Sequence, residues 1–239
     1  MQAAFFFSRK NIMKYSVREV AATIDHAVLK PTLTESDIRA AAKMCIAFRV
    51  ASMCVRPCDI VLGSRLLKDT PVKLSCVLSF PHGDDSSASK AFLARDAIRS
   101  GVQEIDMVMN IGRFLDRHYD DVRDDIRAVV DAAHEHGVLV KVIQESCYLS
   151  PAQIADACNL SLEAGADFVK TSTGFGPASA TPETVGIMVR TVGGKMGIKA
   201  SGGIRSWEQA VGYLQQGATR LGIGATEAVL TGGAASGNY

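Results

Sequence analysis

Two lysines pose the chemical question in this sequence. Lys170 lies in Phe168-Val-Lys170-Thr-Ser-Thr-Gly174-Phe175 and Lys199 in Ile198-Lys199-Ala-Ser-Gly202-Gly203, each the lone charge of a short run that ends in glycine. Burial disfavours the ammonium form, and a lysine made to give up its proton is a nucleophile that condenses with carbonyls. A free lysine titrates at ~10.4, and useful nucleophilicity near neutrality needs roughly 7–8, a gap of about 4 kcal/mol. A second ammonium roughly 4–6 Å away supplies about 3–4 kcal/mol of repulsion at an effective dielectric of ~20, and burial adds the rest. Lys170 as the amine and Lys199 as its perturber therefore make an energetically adequate pair, although these terms do not decide which lysine takes which role.

Further charges accompany them in strand-like runs: Asp25 with His26, Glu104-Ile-Asp106-Met-Val-Met-Asn110, and Lys141-Val-Ile-Gln-Glu145. The plain alternative is a buried ion-pair network that only fixes packing. Burying three lysines and an acid on four strands is expensive for that purpose alone. Gly174, Gly202-Gly203 and Gly222-Ile-Gly224 read as turns just after the last three strands, with Arg205 beside one of them. Backbone N–H groups at such turns can cradle an anion, although glycine is also ordinary turn chemistry. Gly222-Ile-Gly224-Ala-Thr lacks the third glycine of a dinucleotide fingerprint. His134-Glu-His136 has a spacing that does not turn both imidazoles to one site, and Cys54 with Cys58 has no zinc-finger spacing. Phe80-Pro-His82-Gly83 stays open between a pocket border and an ordinary loop.

The elements that must position these groups alternate in texture from Tyr15 onward. Expected strands are Thr23–Leu29, Val50–Val55, Val72–Phe80, Glu104–Asn110, Val138–Glu145, Phe168–Ser172, Ile198–Ser201 and Arg220–Ile223, separated by stretches of helical periodicity. Thr34-Glu-Ser-Asp37, Ser150-Pro151, Thr181-Pro182-Glu and Ser206-Trp-Glu read as helix starts. Eight strands, each followed by a helix, is the count of an α/β (β/α)8 TIM barrel, in which chemistry gathers at the carboxyl ends of the strands. A doubly wound open sheet is the competing architecture.

Bulk properties exclude several classes. A net charge of +1 from 26 basic and 25 acidic residues, without a basic block, argues against nucleic acid or an anionic membrane as the main partner. No apolar run is long enough to span a bilayer. The six cysteines mostly sit inside apolar runs and read as free thiols of a reducing, cytoplasmic protein. In residues 1–14 the charges follow the apolar residues, the wrong order for a secretory signal, so these read as an N-terminal extension and residues 15–239 as one barrel domain.

Over about residues 16–225 the chain resembles the deoxyribose-phosphate aldolases. The match runs through Ile24-Asp-His26, Leu29-Lys-Pro31, Cys54-Val-Arg-Pro57, Glu104-Ile-Asp106-Met-Val, Val140-Lys-Val-Ile, and the two lysine motifs, of which the second continues to Arg205. The resemblance implies a class I lyase that reversibly cleaves 2-deoxy-D-ribose 5-phosphate to acetaldehyde and D-glyceraldehyde 3-phosphate. It implies Lys170 as the Schiff-base amine, Lys199 as the lysine that depresses its pKa, and Asp106 in the proton relay. Asp25 and Thr173 fall near the substrate hydroxyls, and Gly174, Gly202, Gly203, Arg205, Gly222 and Gly224 fall around the phosphate. No metal or cofactor is implied, the partners are small sugar phosphates and aldehydes, and a homo-oligomer is compatible. Three departures stand out: Gly224-Ala225 where relatives often carry serines, Phe175 where some carry lysine, and Ala27 where threonine is common. Tyr239 ends the chain as a tyrosine ends some relatives. Another Schiff-base aldolase with weaker phosphate dependence, and a non-catalytic sugar-phosphate binder, remain competing functions.

Overall fold

All eight expected strands form: β1 Ile24–Val28, β2 Ser52–Val55, β3 Lys73–Leu78, β4 Glu104–Val108, β5 Leu139–Ile143, β6 Phe168–Lys170, β7 Gly197–Ser201 and β8 Arg220–Ile223. They pair in parallel, each with the next, and β8 pairs with β1, so a computed structural model of the chain shows a closed TIM barrel rather than an open sheet. The structure describes residues 15–233; the expected extension 1–14 and Tyr239 lie outside the described residues. Several strands are shorter than their apolar runs, because closing a barrel leaves the run ends in the loops; Thr171–Thr173, for example, stay buried beyond the end of β6.

Helices α1 Val17–Ala21, α2 Glu35–Phe48, α3 Ile60–Leu66, α4 Ser87–Arg99, α5 Ile111–Leu115, α6 Tyr119–His134, α7 Pro151–Glu163, α8 Pro182–Val192, α9 Trp207–Gln216 and α10 Thr226–Thr231 follow in chain order. The anticipated starts are real. Ser150 caps α7 in a reciprocal box with Gln153 and has Pro151 at the first turn, while Thr181 and Ser206 cap α8 and α9. Asp37 accepts the Thr34 backbone N–H at 2.7 Å to begin α2. Along α6, Val122, Ile126, Val129, Val130 and Ala133 form one buried stripe against the sheet. Lys90 of α4 is fully buried and donates to Asp125 of α6 at 2.6 Å and to the Val108 carbonyl at 3.0 Å, which pins both helices to the end of β4.

Period-2 alternation divides each strand between two environments. Ile24, His26 and Val28 of β1 face the helices, and Asp25 faces the interior among residues of the other strands. His26 is consequently separated from its neighbour's chemistry: its Nδ1 lies 2.9 Å from Thr226 Oγ1 of α10. Gly222 lies inside β8, not in the turn after it as expected from the sequence. A Cβ there would sit 2.3 Å from Ser201 Oγ and 3.2 Å from Lys199 Cε, so its missing side chain is room for the interior lysine. Gly224 does follow the strand.

Two stability measurements test this packing. At Gly83, with φ of +74°, a Cβ would come within 2.0 Å of the Met109 carbonyl oxygen. Gly83→Ala is therefore expected to destabilise the fold by roughly 3 kcal/mol or more in denaturant unfolding. Burial holds the His26 imidazole down to about 4. Between that value and the unfolded value of ~6.5 only the unfolded chain takes the proton, so stability falls as pH drops through the window. Wild type should lose about 2–3 kcal/mol between pH 7 and 4.5 that His26→Gln does not lose.

Candidate active site

The barrel interior holds a continuous ionic cluster. Lys170 of β6 donates to Asp106 Oδ2 of β4 at 2.8 Å, and Lys199 of β7 donates to the same oxygen at 2.7 Å and to Asp25 Oδ2 of β1 at 2.5 Å. Lys141 of β5 donates to Asp106 Oδ1 at 2.8 Å and lies 2.6 Å from Glu104 and 3.4 Å from Asp25. Strand register brings this about: Lys170 pairs with Lys199, and Asp106 with Lys141, across adjacent strands. Lys170 is 1% exposed and Asp106 0%. The two sequence-selected lysines and Asp106 thus meet at one point.

The charge states diverge within this small volume. For Lys170, burial drives the amine below the ordinary lysine value; Asp106 opposes the shift and the Lys199 ammonium reinforces it. For Lys199, burial works in the same direction but Asp106 and Asp25 outweigh it, and the ammonium is held above the ordinary range. Lys141 is likewise held charged, since Asp106, Asp25 and Glu104 together overcome burial. The carboxyls of Asp25 and Asp106 stay ionised against a burial penalty because cations surround them. The lowering at Lys170 is thus led by desolvation, with the neighbouring lysine the smaller contribution in that direction, the reverse of the weighting that sequence arithmetic suggested.

Asp25 and Thr173, expected beside the substrate hydroxyls, both make hydrogen bonds within the protein. Asp25 is fully buried, with its oxygens taken by Lys199, Arg220 at 2.6 Å and Ser52 at 2.6 Å. The Thr173 hydroxyl donates to Glu145 and accepts the Phe175 N–H at 3.0 Å. Glu145, just beyond β5, has φ of +47° and also accepts the Thr173 N–H at 3.2 Å, so a strained acidic residue clamps the loop after Lys170. Gly174, Gly202 and Gly203 take positive φ values of +87°, +84° and +71°, and a Cβ on Gly202 would lie 3.5 Å from Gly174 Cα. The turns after β6 and β7 therefore abut, as a two-sided backbone cradle requires. Arg205 is exposed beyond them, its backbone N–H donating to Gln209 at 2.8 Å.

Phe80 does border this end of the barrel: its ring meets Phe175 edge-on with centroids 5.3 Å apart. His134 bonds Asp167 at 2.9 Å on the exposed side, while Cys54 is buried and Cys58 exposed, so neither pair forms a site. All six cysteines are free, and among the described residues no His/Cys/Asp/Glu group could hold a metal. A cleft of about 440 Å³ between α2 and α10 is lined by His26, Leu33, Met44 and Thr226 and by none of the interior lysines. Sequence reasoning gave no role to Arg220 or Glu104, which join the cluster at 2.8 Å from each other. Their signal was the alternation itself, since each is two residues from an interior position, Gly222 and Asp106.

Known proteins share this fold and much of this sequence. The chain is 45% identical over 222 residues to a deoxyribose-phosphate aldolase of Clostridium perfringens, covering 93% of this chain and 99% of that one. It is 47% identical over 216 residues to one of Streptococcus sanguinis, covering 90% and 97% respectively. The solved deoxyribose-phosphate aldolase of Aeropyrum pernix, described as a tetramer, superposes with a TM-score of 0.86 at 30% identity, covering 94% of this chain and 97% of that one. The sequence pattern described as DeoC/LacD family aldolase matches residues 19–237. Matched along most of its length and folded as a closed eight-stranded barrel, this chain belongs to the DeoC/LacD family of aldolases.

Proposed function

We propose that the chain is a class I aldolase that reversibly cleaves 2-deoxy-D-ribose 5-phosphate to acetaldehyde and D-glyceraldehyde 3-phosphate through a Schiff base on Lys170. One observation carries this reading: of three buried lysines around Asp106, Lys170 alone is pushed below its ordinary value while Lys141 and Lys199 are held charged. The relatives from Clostridium perfringens and Streptococcus sanguinis, both deoxyribose-phosphate aldolases, support the substrate.

In this mechanism the Lys170 Nζ lone pair attacks C1 of the open-chain aldehyde. Asp106, 2.8 Å from that nitrogen, takes and returns protons as the carbinolamine loses water to give the iminium. The iminium withdraws the C2–C3 bonding pair as the C3 hydroxyl proton leaves, releasing D-glyceraldehyde 3-phosphate and an enamine. Protonation of the enamine at C2 and hydrolysis give acetaldehyde and the free amine. Lys199, 2.7 Å from Asp106, keeps the carboxylate ionised and shares the relay. The iminium is the electron sink, so the reading needs no metal or cofactor.

The phosphate falls to the abutting turns of Gly174, Gly202 and Gly203, with Gly224 and Arg205 beside them, through backbone donors. Asp25 and Thr173 act from within the wall, by holding Lys199 and the loop after β6. A reducing, cytoplasmic setting suits six free thiols, and no described helix is long and apolar enough to cross a membrane. A second reading, an aldolase less dependent on phosphate, is favoured by Phe175, 43% exposed where a cation would contact an anion.

Borohydride reduction in the presence of acetaldehyde should leave a two-carbon adduct on Lys170 by peptide mass mapping. Lys170→Leu should abolish the adduct and lower kcat/KM by at least ~10⁴-fold. An adduct that persists in that variant assigns the nucleophile elsewhere. The ratio of kcat/KM for 2-deoxy-D-ribose 5-phosphate over unphosphorylated deoxyribose separates the two readings: a large ratio supports the first, a ratio near one the second.

A further inference from the structure

Arg220 and Glu104 open β8 and β4, at the end of the barrel opposite the loops that carry Gly174 and Gly202. Arg220 Nη1 donates to Asp25 Oδ1 at 2.6 Å and to Glu104 Oε2 at 2.8 Å, and Nη2 reaches Glu104 Oε1 at 3.3 Å. Its guanidinium also lies over the Phe168 ring, 5.2 Å from the centroid. Phe168 in turn occupies the space above Gly197, where a Cβ would come within 2.2 Å of the ring. The guanidinium is thus fixed on three sides. Neither Arg220 nor Glu104 bonds Lys170, but two routes lead there. One runs Arg220, Asp25, Lys199, Asp106; the other runs Glu104, Lys141, Asp106.

We propose that Arg220 and Glu104 are positioning residues that set, from the far end of the barrel, how firmly Asp106 holds a proton on Lys170. The inference rests on Lys170 being the Schiff-base amine. Asp25, Glu104 and Asp106 are three anions, and Lys141, Lys199 and Arg220 are three cations, so the interior is neutral when Lys170 carries no charge. The other titratable groups around Lys170 are Cys54 of β2 and Glu145 beyond β5; burial pushes both upward, toward their neutral forms. Cys76 of β3 is likewise pushed up by burial.

Opposite consequences follow from removing the two charges. Without Arg220, Asp25 has one cation fewer and draws Lys199 toward itself, which leaves Asp106 to Lys170 and favours its ammonium. Without Glu104, Lys141 turns to Asp106 and competes with Lys170, which favours the free amine. A role confined to packing would give losses of stability with no such pair of signs.

The test is the pH dependence of cyanoborohydride trapping with acetaldehyde, followed by peptide mapping. In Arg220→Met the rising limb should move up by about one pH unit, and in Glu104→Gln down by about one, for charges roughly 8–10 Å away at an effective dielectric of ~20. Arg220→Lys, which keeps the charge, should leave the limb in place. If Arg220→Met does not fold by circular dichroism, the downward shift in Glu104→Gln decides alone. Adducts on Lys170 with unmoved limbs, or limbs that move the same way in both variants, overturn this inference only. A wild-type adduct on another residue overturns the nucleophile reading and this inference with it.

Discussion

One carboxylate is shared by three amines. Asp106 accepts from Lys141, Lys170 and Lys199 within 2.7–2.8 Å, in an interior with almost no exposure to solvent. Two of the amines have other anions: Lys199 has Asp25, and Lys141 has Glu104 and Asp25. Lys170 has an ion pair only with the shared one among the described residues, so desolvation wins there and loses at the other two. In a medium this dry an isolated ammonium is costly, and the amine with the weakest claim on counter-charge holds its proton least firmly. The weakened hold of Lys170 on its proton is therefore a property of the whole cluster, and a barrel is well suited to it because eight strands aim side chains at one axis.

Space matters as much as charge. Two interior glycines, Gly222 and Gly197, stand where a methyl group would strike Ser201 or Phe168. Their absent side chains admit Lys199 and the Phe168 ring under Arg220. The loop after β6 is held by Glu145 through Thr173, and the turn after β7 lies against Gly174. Charge selection in the interior and loop placement at the mouth are thus coupled through β6, which carries Lys170 into the loop that the clamp fixes.

Much of this was legible beforehand. The strands announced themselves as β-branched runs ending in turn residues, and Lys170 and Lys199 as lone charges inside such runs. The helix starts at Ser150, Thr181 and Ser206 showed their capping chemistry directly. Arg220 and Glu104 did not stand out because the first residue of a strand looks like a polar flank, and only closure of the barrel turns it inward. Gly222 was misplaced for a related reason: glycine marks both a turn and a close approach, and the side chain that needs the space comes from another strand. Asp25 and Thr173 stood out from the sequence, but the bonds that occupy them join separate elements of the chain and have no local signature.

The central claim is that Lys170 is the amine of the cluster that holds its proton least firmly. Its most direct test is a pH titration of the lysine Cε–Nζ groups by NMR on protein labelled at lysine, with Lys170→Leu used to assign the signal. The account predicts that Lys170 loses its proton below the ordinary lysine value of ~10.4 while Lys141 and Lys199 remain charged throughout. A Lys170 signal that titrates at or above that value, or one of the other two lysines releasing its proton first, would contradict it.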